Sequence, residues 1–104
     1  MPFGTFINAL PPVVFLVIHL AAFLAGTFFA YRALETGNTK LGWGFGLYAA
    51  AELVYMTYHL DWTVFLFAHT IAEVLNLVAF TLIFLGAVQR VRGGSVAGAA
   101  SAAR

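Results

Sequence analysis

Six side chains able to ligate, bind or exchange protons interrupt otherwise apolar runs: His19, Glu52, His59, His69, Glu73 and Asn76. Ionisable groups in hydrocarbon are costly, generally face other helices, and are functional candidates by default. His69 and Glu73 stand at i and i+4 with Asn76 a turn further, so one helix face carries all three. Glu52 and His59 are separated by two turns holding Tyr55 and Met56, and Tyr48 precedes Glu52 by one turn. Three binding chemistries can use such a set. His19 and His69, on different helices at similar depth, suit the two axial positions of haem b, with Gly26 making room for the macrocycle. A single His can ligate a bacteriochlorophyll-type pigment. Light-harvesting polypeptides commonly carry Ala four residues before that His, and here Phe15, Tyr55 and Phe65 occupy the position. A His/Glu pair can also exchange protons with a quinone headgroup, with phenylalanines flanking its isoprenoid tail. The structural alternative is mutual satisfaction, in which a buried Glu pairs with a charged His or stays protonated, and the network only fixes helix register. The candidate cofactor-binding set is therefore His19, Glu52, His69 and Glu73. No catalytic or metal-ligating set is expected: the chain has no Cys, no His-x-x-x-His pair and no Ser-His-Asp spacing. It reads as a non-enzyme.

These groups need elements to hold them, and composition restricts the choice. The 104 residues are 62% hydrophobic and only 9% charged. A soluble domain carries about 25% charged residues to keep its surface solvated, so the chain is expected to be an integral membrane protein. Spans of about 20 residues fit three times: about 11–31, opened by Pro11 and Pro12; about 41–60; and about 64–88. The polar turn Glu35–Lys40 and the short Asp61–Thr63 connection separate them, and residues 93–104, rich in Gly, Ala and Ser, read as a flexible C-terminal tail. Residues 1–92 form one membrane domain. The expected fold class is all-α, a three-helix up-down-up bundle. Counted inward at 1.5 Å per residue, His69 lies about 7 Å deep, His19 about 10 Å, Glu52 about 12 Å and Glu73 about 13 Å, a single polar layer in the outer half.

Orientation follows from charge. Arg32 and Lys40 flank the first loop and Arg90, Arg92 and Arg104 follow the third span, so all five basic residues share a side. The positive-inside rule puts that side, with the C-terminus, in the cytoplasm and the N-terminus outside. Localisation is then the inner (cytoplasmic) membrane, multi-pass. A net charge of +1 carries no nucleic-acid signature.

Helices in lipid associate by close packing and interhelical hydrogen bonds. Ala22, Gly26 and Ala30 make a small-residue groove on the first span; Gly42, Gly46 and Ala50 make another on the second, and the two are expected to face each other near the cytoplasmic end. The 11 phenylalanines exceed what a three-helix interior can hold, so some must meet lipid, a partner subunit or an apolar cofactor.

The stretch Ala30-Tyr-Arg-Ala-Leu-Glu-Thr-Gly-Asn-Thr-Lys-Leu-Gly-Trp-Gly-Phe-Gly46, followed by His69-Thr-Ile-Ala-Glu73-Val-Leu-Asn76, resembles small uncharacterised three-span prokaryotic membrane proteins. The likeness covers about residues 10 to 90, rests on topology and the basic first turn, and brings no assigned catalytic residues. In size and topology the chain is also similar to accessory subunits of bacterial photosynthetic and respiratory complexes. That similarity implies a non-catalytic accessory subunit of a bioenergetic membrane complex, first a phototrophic reaction-centre/light-harvesting complex. Membrane lipids and other transmembrane subunits would be its partners, with quinone, bacteriochlorophyll, carotenoid or haem b as possible contacts. The alternatives are a haem b- or quinone-binding electron-transfer anchor and a small proton-sensing module.

Overall fold

The computed structural model describes residues 3–102, with side chains described through Gly93. Within those residues the chain is all-helical and has no strand: a 3₁₀ turn at Thr5–Ala9, then α1 (Pro12–Glu35), α2 (Thr39–His59) and α3 (Phe65–Ala102). Pro12 takes the first helical position of α1 behind an extended Pro11, where a missing N–H removes no helical hydrogen bond. The segment expected to form a flexible tail from residue 93 has helical backbone through Ala102. Its alanines are strong helix formers that offset the interspersed glycines. Residues 103 and 104 lie outside the described residues.

Both connections end their preceding helix in the same way. After α1, Gly37 adopts φ 81°, its N–H bonds the Leu34 carbonyl, and Asn38 N–H bonds the Ala33 carbonyl. After α2, Asp61 takes φ 63°, its N–H bonds the Tyr58 carbonyl, and Trp62 N–H bonds the Thr57 carbonyl. These are paired Schellman closures, which satisfy orphan carbonyls and reverse the chain within a few residues. Asn38 also caps α2, accepting from Leu41 N–H at 3.1 Å, and donates from Nδ2 to the Gly86 carbonyl of α3 at 3.0 Å.

The short connections make the helices antiparallel in sequence order, but they do not close into a bundle. Among the described residues α2 packs against both α1 and α3, whereas α1 and α3 do not pack on each other. The molecule is a three-helix layer with α2 in the middle. The reason lies in α2, which has small residues on two sides. Gly42 and Ala49 meet Ala30, Leu34 and Gly26 of α1, while Gly44 meets Ala79 and Ile83 of α3. A methyl at Gly86 of α3 would come within 2.7 Å of the Leu41 backbone nitrogen, so the backbones there approach as closely as only glycine permits.

Among the described residues the buried apolar ones are alanines (Ala33, Ala49, Ala51, Ala68, Ala72 and Ala79), and no large side chain is fully buried. Large apolar residues point outward instead, with Phe84 66% and Leu66 72% exposed. Two helices, Pro12–Glu35 and the Phe65–Gly93 part of α3, are long and apolar enough to cross a membrane. The central α2 is less apolar, because Lys40, Glu52, His59 and four tyrosine and tryptophan rings interrupt it.

Candidate functional site: a polar cluster heading an aromatic groove

The helices meet along stripes that step by four and three residues alternately. On α1 the stripe is Phe15, His19, Ala22, Gly26, Phe29 and Ala33; on α2 it is Leu41, Phe45, Tyr48, Glu52, Tyr55 and His59. This seven-residue period keeps one face of each helix in register with its neighbour over the whole contact. The i, i+4 groove expected from Gly42, Gly46 and Ala50 is used only in part. Gly42 abuts Leu34 and Ala30, but Gly46 faces open space, and Ala49 occupies the contact with Gly26. The α1 groove supplies Gly26 and Ala30 to that interface, and Ala22 lies half-buried on the same stripe.

Toward the second loop the α1 and α2 stripes become polar. His19 Nδ1 lies 2.5 Å from Glu52 Oε2, joining α1 to α2. Glu52 is the buried charged residue of the layer at 7% exposure. The His19 ring stacks on Tyr55 on one side (centroids 5.0 Å) and on His59 on the other (5.2 Å), and His59 stacks on Phe15 (5.1 Å). The Tyr55 hydroxyl donates to Glu73 Oε1 of α3 at 2.7 Å. Four rings and two carboxyl groups thus form one connected cluster spanning all three helices. Stacking fixes the plane of the His19 imidazole, and the Glu52 contact commits its Nδ1, leaving Nε2 as the atom open to a ligand or proton.

Of the four residues expected to share a site, His19, Glu52 and Glu73 are brought together and His69 is not. His69 is exposed on α3 and stacks on Phe65 at 5.1 Å. His19 and His69 therefore do not oppose each other as two axial ligands would. His59, two turns after Glu52, also sits in the cluster, stacked between Phe15 and His19. Asn76 lies between Ala72 and Ala79 on the α2-facing side of α3, and its buried Oδ1 has no hydrogen-bond partner. Sequence reading passed over Tyr55 as a participant, although its place three residues after Glu52 on an amphipathic face was a usable signal. Asn38, outside the expected set, joins the first loop to α3 through its bond to the Gly86 carbonyl. Among the described residues, no three His, Cys, Asp or Glu side chains gather in a way that could hold a metal ion.

Below the cluster the same face becomes an apolar groove. A cavity of about 370 Å³ is lined by Ala25, Gly26 and Phe29 of α1, Phe45 and Tyr48 of α2, and Phe80 and Ile83 of α3. It shares Phe29 and Phe45 with a second cavity of about 460 Å³ that ends at Arg32 and Arg90. The open groove exists because α1 and α3 stand apart, with α2 as its floor.

The chain matches no protein-family model, no curated protein and no solved structure. Its chemistry rests on its own side chains.

Proposed function

We propose that the chain is a non-catalytic transmembrane subunit, inserted with its N-terminus outside and its C-terminus in the cytoplasm, that completes its packing against helices of a larger inner-membrane assembly. The carrying observation is the half-finished polar cluster. The Glu73 carboxyl and the Tyr55 hydroxyl bond each other at the open face of the layer, where Glu73 is exposed. Lipid tails offer no hydrogen bonds, and leaving such groups uncovered costs several kcal/mol, on the order of one lost bond each. Another transmembrane helix can supply donors and cover the face. The small-residue interior with large apolar residues outside supports membrane residence, because in water that surface would be the most costly part of the molecule. α2, which is less apolar, is the helix with neighbours on both sides, as a polar span in lipid requires. The wider assignment to a bioenergetic complex, phototrophic first and respiratory second, rests on size and topology.

A second reading is favoured by one observation, the free Nε2 of a His19 already paired with Glu52 at the head of an aromatic groove. In that reading the cluster receives the headgroup of a quinone-type carrier and exchanges its proton.

Mild-detergent extraction from native membranes followed by size separation tests the first reading. The chain should migrate with a larger complex, and Glu73→Ala should release it. A monodisperse lone chain from the same membranes overturns the proposal. Reporter fusions at the two ends should place the N-terminus outside and the C-terminus inside.

A further inference from the structure

We infer that the groove between α1 and α3 is a binding site for one anionic phospholipid of the cytoplasmic leaflet, its phosphate held between Arg32 and Arg90 and an acyl chain laid along Phe29, Phe45, Tyr48 and Phe80. This rests on the membrane orientation proposed above. Three observations converge on the occupant.

The first is charge. Arg32 and Arg90 come from helices that do not pack on each other, yet both line the same cavity of about 460 Å³. Two guanidinium groups at the mouth of an apolar groove repel each other unless an anion sits between them. Guanidinium forks match phosphate oxygens two at a time. Glu35 Oε2 holds one edge of Arg32 at 3.2 Å, but both side chains are largely exposed, and such a pair is worth little. The other Arg32 edge and all of Arg90 remain for the phosphate.

The second is length. Arg90 and Phe80 are ten residues apart on α3, about 15 Å at the helical rise. That is half of a hydrocarbon core about 30 Å thick, the depth of one leaflet. The groove then stops where the His19–Glu52–Tyr55 cluster begins, so an acyl chain entering beside the arginines runs out of apolar wall at the depth where its own leaflet ends.

The third is shape. Gly26 is buried against Tyr48 and Phe45, and the rings of Phe29 and Phe45 tilt against each other at 5.4 Å. The result is an aromatic trough that, past Thr36 and the two arginines at its mouth, meets no hydrogen-bonding side chain until Tyr48. A chain of methylenes suits such a wall. An extended peptide segment would leave its backbone amides unpaired there.

The test uses the full chain, purified in mild detergent after exposure to vesicles of equal phosphatidylglycerol and phosphatidylcholine, with retained lipid read by native mass spectrometry. One phosphatidylglycerol per chain should be retained in preference to phosphatidylcholine. Arg32→Ala and Arg90→Ala should each lower its retention about fivefold, and together about twenty-five-fold, as expected for basic residues acting at a lipid surface. Arg92→Ala, just beyond the groove, should change it less than about twofold, which separates a site from general attraction to an anionic leaflet. Ala25→Trp, filling the trough from an exposed position, should lower retention without touching either arginine. Equal retention of the two lipids overturns the site, as does an Arg92→Ala loss equal to that of Arg90→Ala. Retention of a neutral isoprenoid that Ala25→Trp expels, with phosphatidylglycerol unaffected, overturns it in favour of a quinone-type occupant. A chain that stays in the membrane pellet at alkaline pH while showing no lipid preference sinks this site alone. A chain that leaves the membrane in that wash sinks the membrane reading, and the site falls with it.

Discussion

The two ends of the layer hold the same three helices together by different physics. At the first-loop end glycine backbone packs against the backbone and aliphatic side chains of the next helix. Gly42 fits under Leu34, Gly44 against the Ala79 carbonyl, and Gly86 against Leu41, with Asn38 stitching the loop to α3. At the second-loop end side chains do the joining, through the His19–Glu52 contact, the stacked rings of Phe15, His59, His19 and Tyr55, and the Tyr55–Glu73 bond. Dispersion between closely packed backbones is insensitive to protonation and to partners. A hydrogen-bonded network of imidazoles and carboxyls responds to both. One end is therefore built to stay assembled, and the other to be read or completed by something outside the chain.

The sharpest way to break that contrast is to fill the closest approach. In Gly86→Leu the new side chain meets Leu41, whose nitrogen, Cα and Cβ would lie 2.7, 3.0 and 2.9 Å from its first carbon. Backbone cannot rotate aside as a side chain can, so α3 must move off α2. The expected loss is about 3 kcal/mol in detergent unfolding, near the upper end for overpacked interiors. Gly46→Leu, where nothing lies within 4 Å, should cost nothing measurable. Equal effects at the two positions would mean that close packing does not hold the first-loop end.

At the other end, His19→Ala leaves the Glu52 carboxyl buried without its partner. Removing one member of a buried pair is costly because the survivor loses its compensation. With His19 side-chain exposure at 21%, water recovers part of that loss, and the expected destabilisation is about 2 kcal/mol. Glu52→Leu added to His19→Ala should restore most of it, since two apolar groups leave nothing unsatisfied. If the double variant is no better than the single, the pair is not what joins α1 to α2.

How much of this was legible in the sequence depended on whether the signal was local. Helix positions were, because Pro11-Pro12, Thr36-Gly37-Asn38 and Asp61-Trp62 punctuate long apolar runs. The convergence of His19, Glu52 and Glu73 was legible from depth, since helix rise converts residue number to height. Azimuth was not. His69 and Glu73 share a face by spacing, yet Tyr55 reaches Glu73 while His69 points outward, because the turn of α3 that meets α2 is set by Ala68, Ala72, Ala79 and Gly86. That stripe repeats chiefly at seven residues, and a search for small residues four apart finds Gly46 instead, which touches nothing. The open layer was also hidden. A closed bundle needs one small-residue face per helix, and α2 has two.

The smallest expected effect concerns the loops themselves, which close their helices identically with different residues. Gly37 accepts φ 81° without a Cβ to clash, while Asp61 holds φ 63° with one. A left-handed conformation costs an ordinary residue about 1 kcal/mol, less for Asp, whose side chain can bond locally. Asp61→Gly should therefore stabilise the second-loop end by about 0.5 kcal/mol, read as a small rise in the unfolding midpoint. The Asp61 carboxyl lines the cavity of about 210 Å³ that also exposes His59, so a chain that retains Asp there accepts strain at the mouth of its own polar cluster. A drop in stability with glycine would show instead that this carboxyl contributes more than its backbone costs, and the second-loop end would then be held partly by charge at its rim.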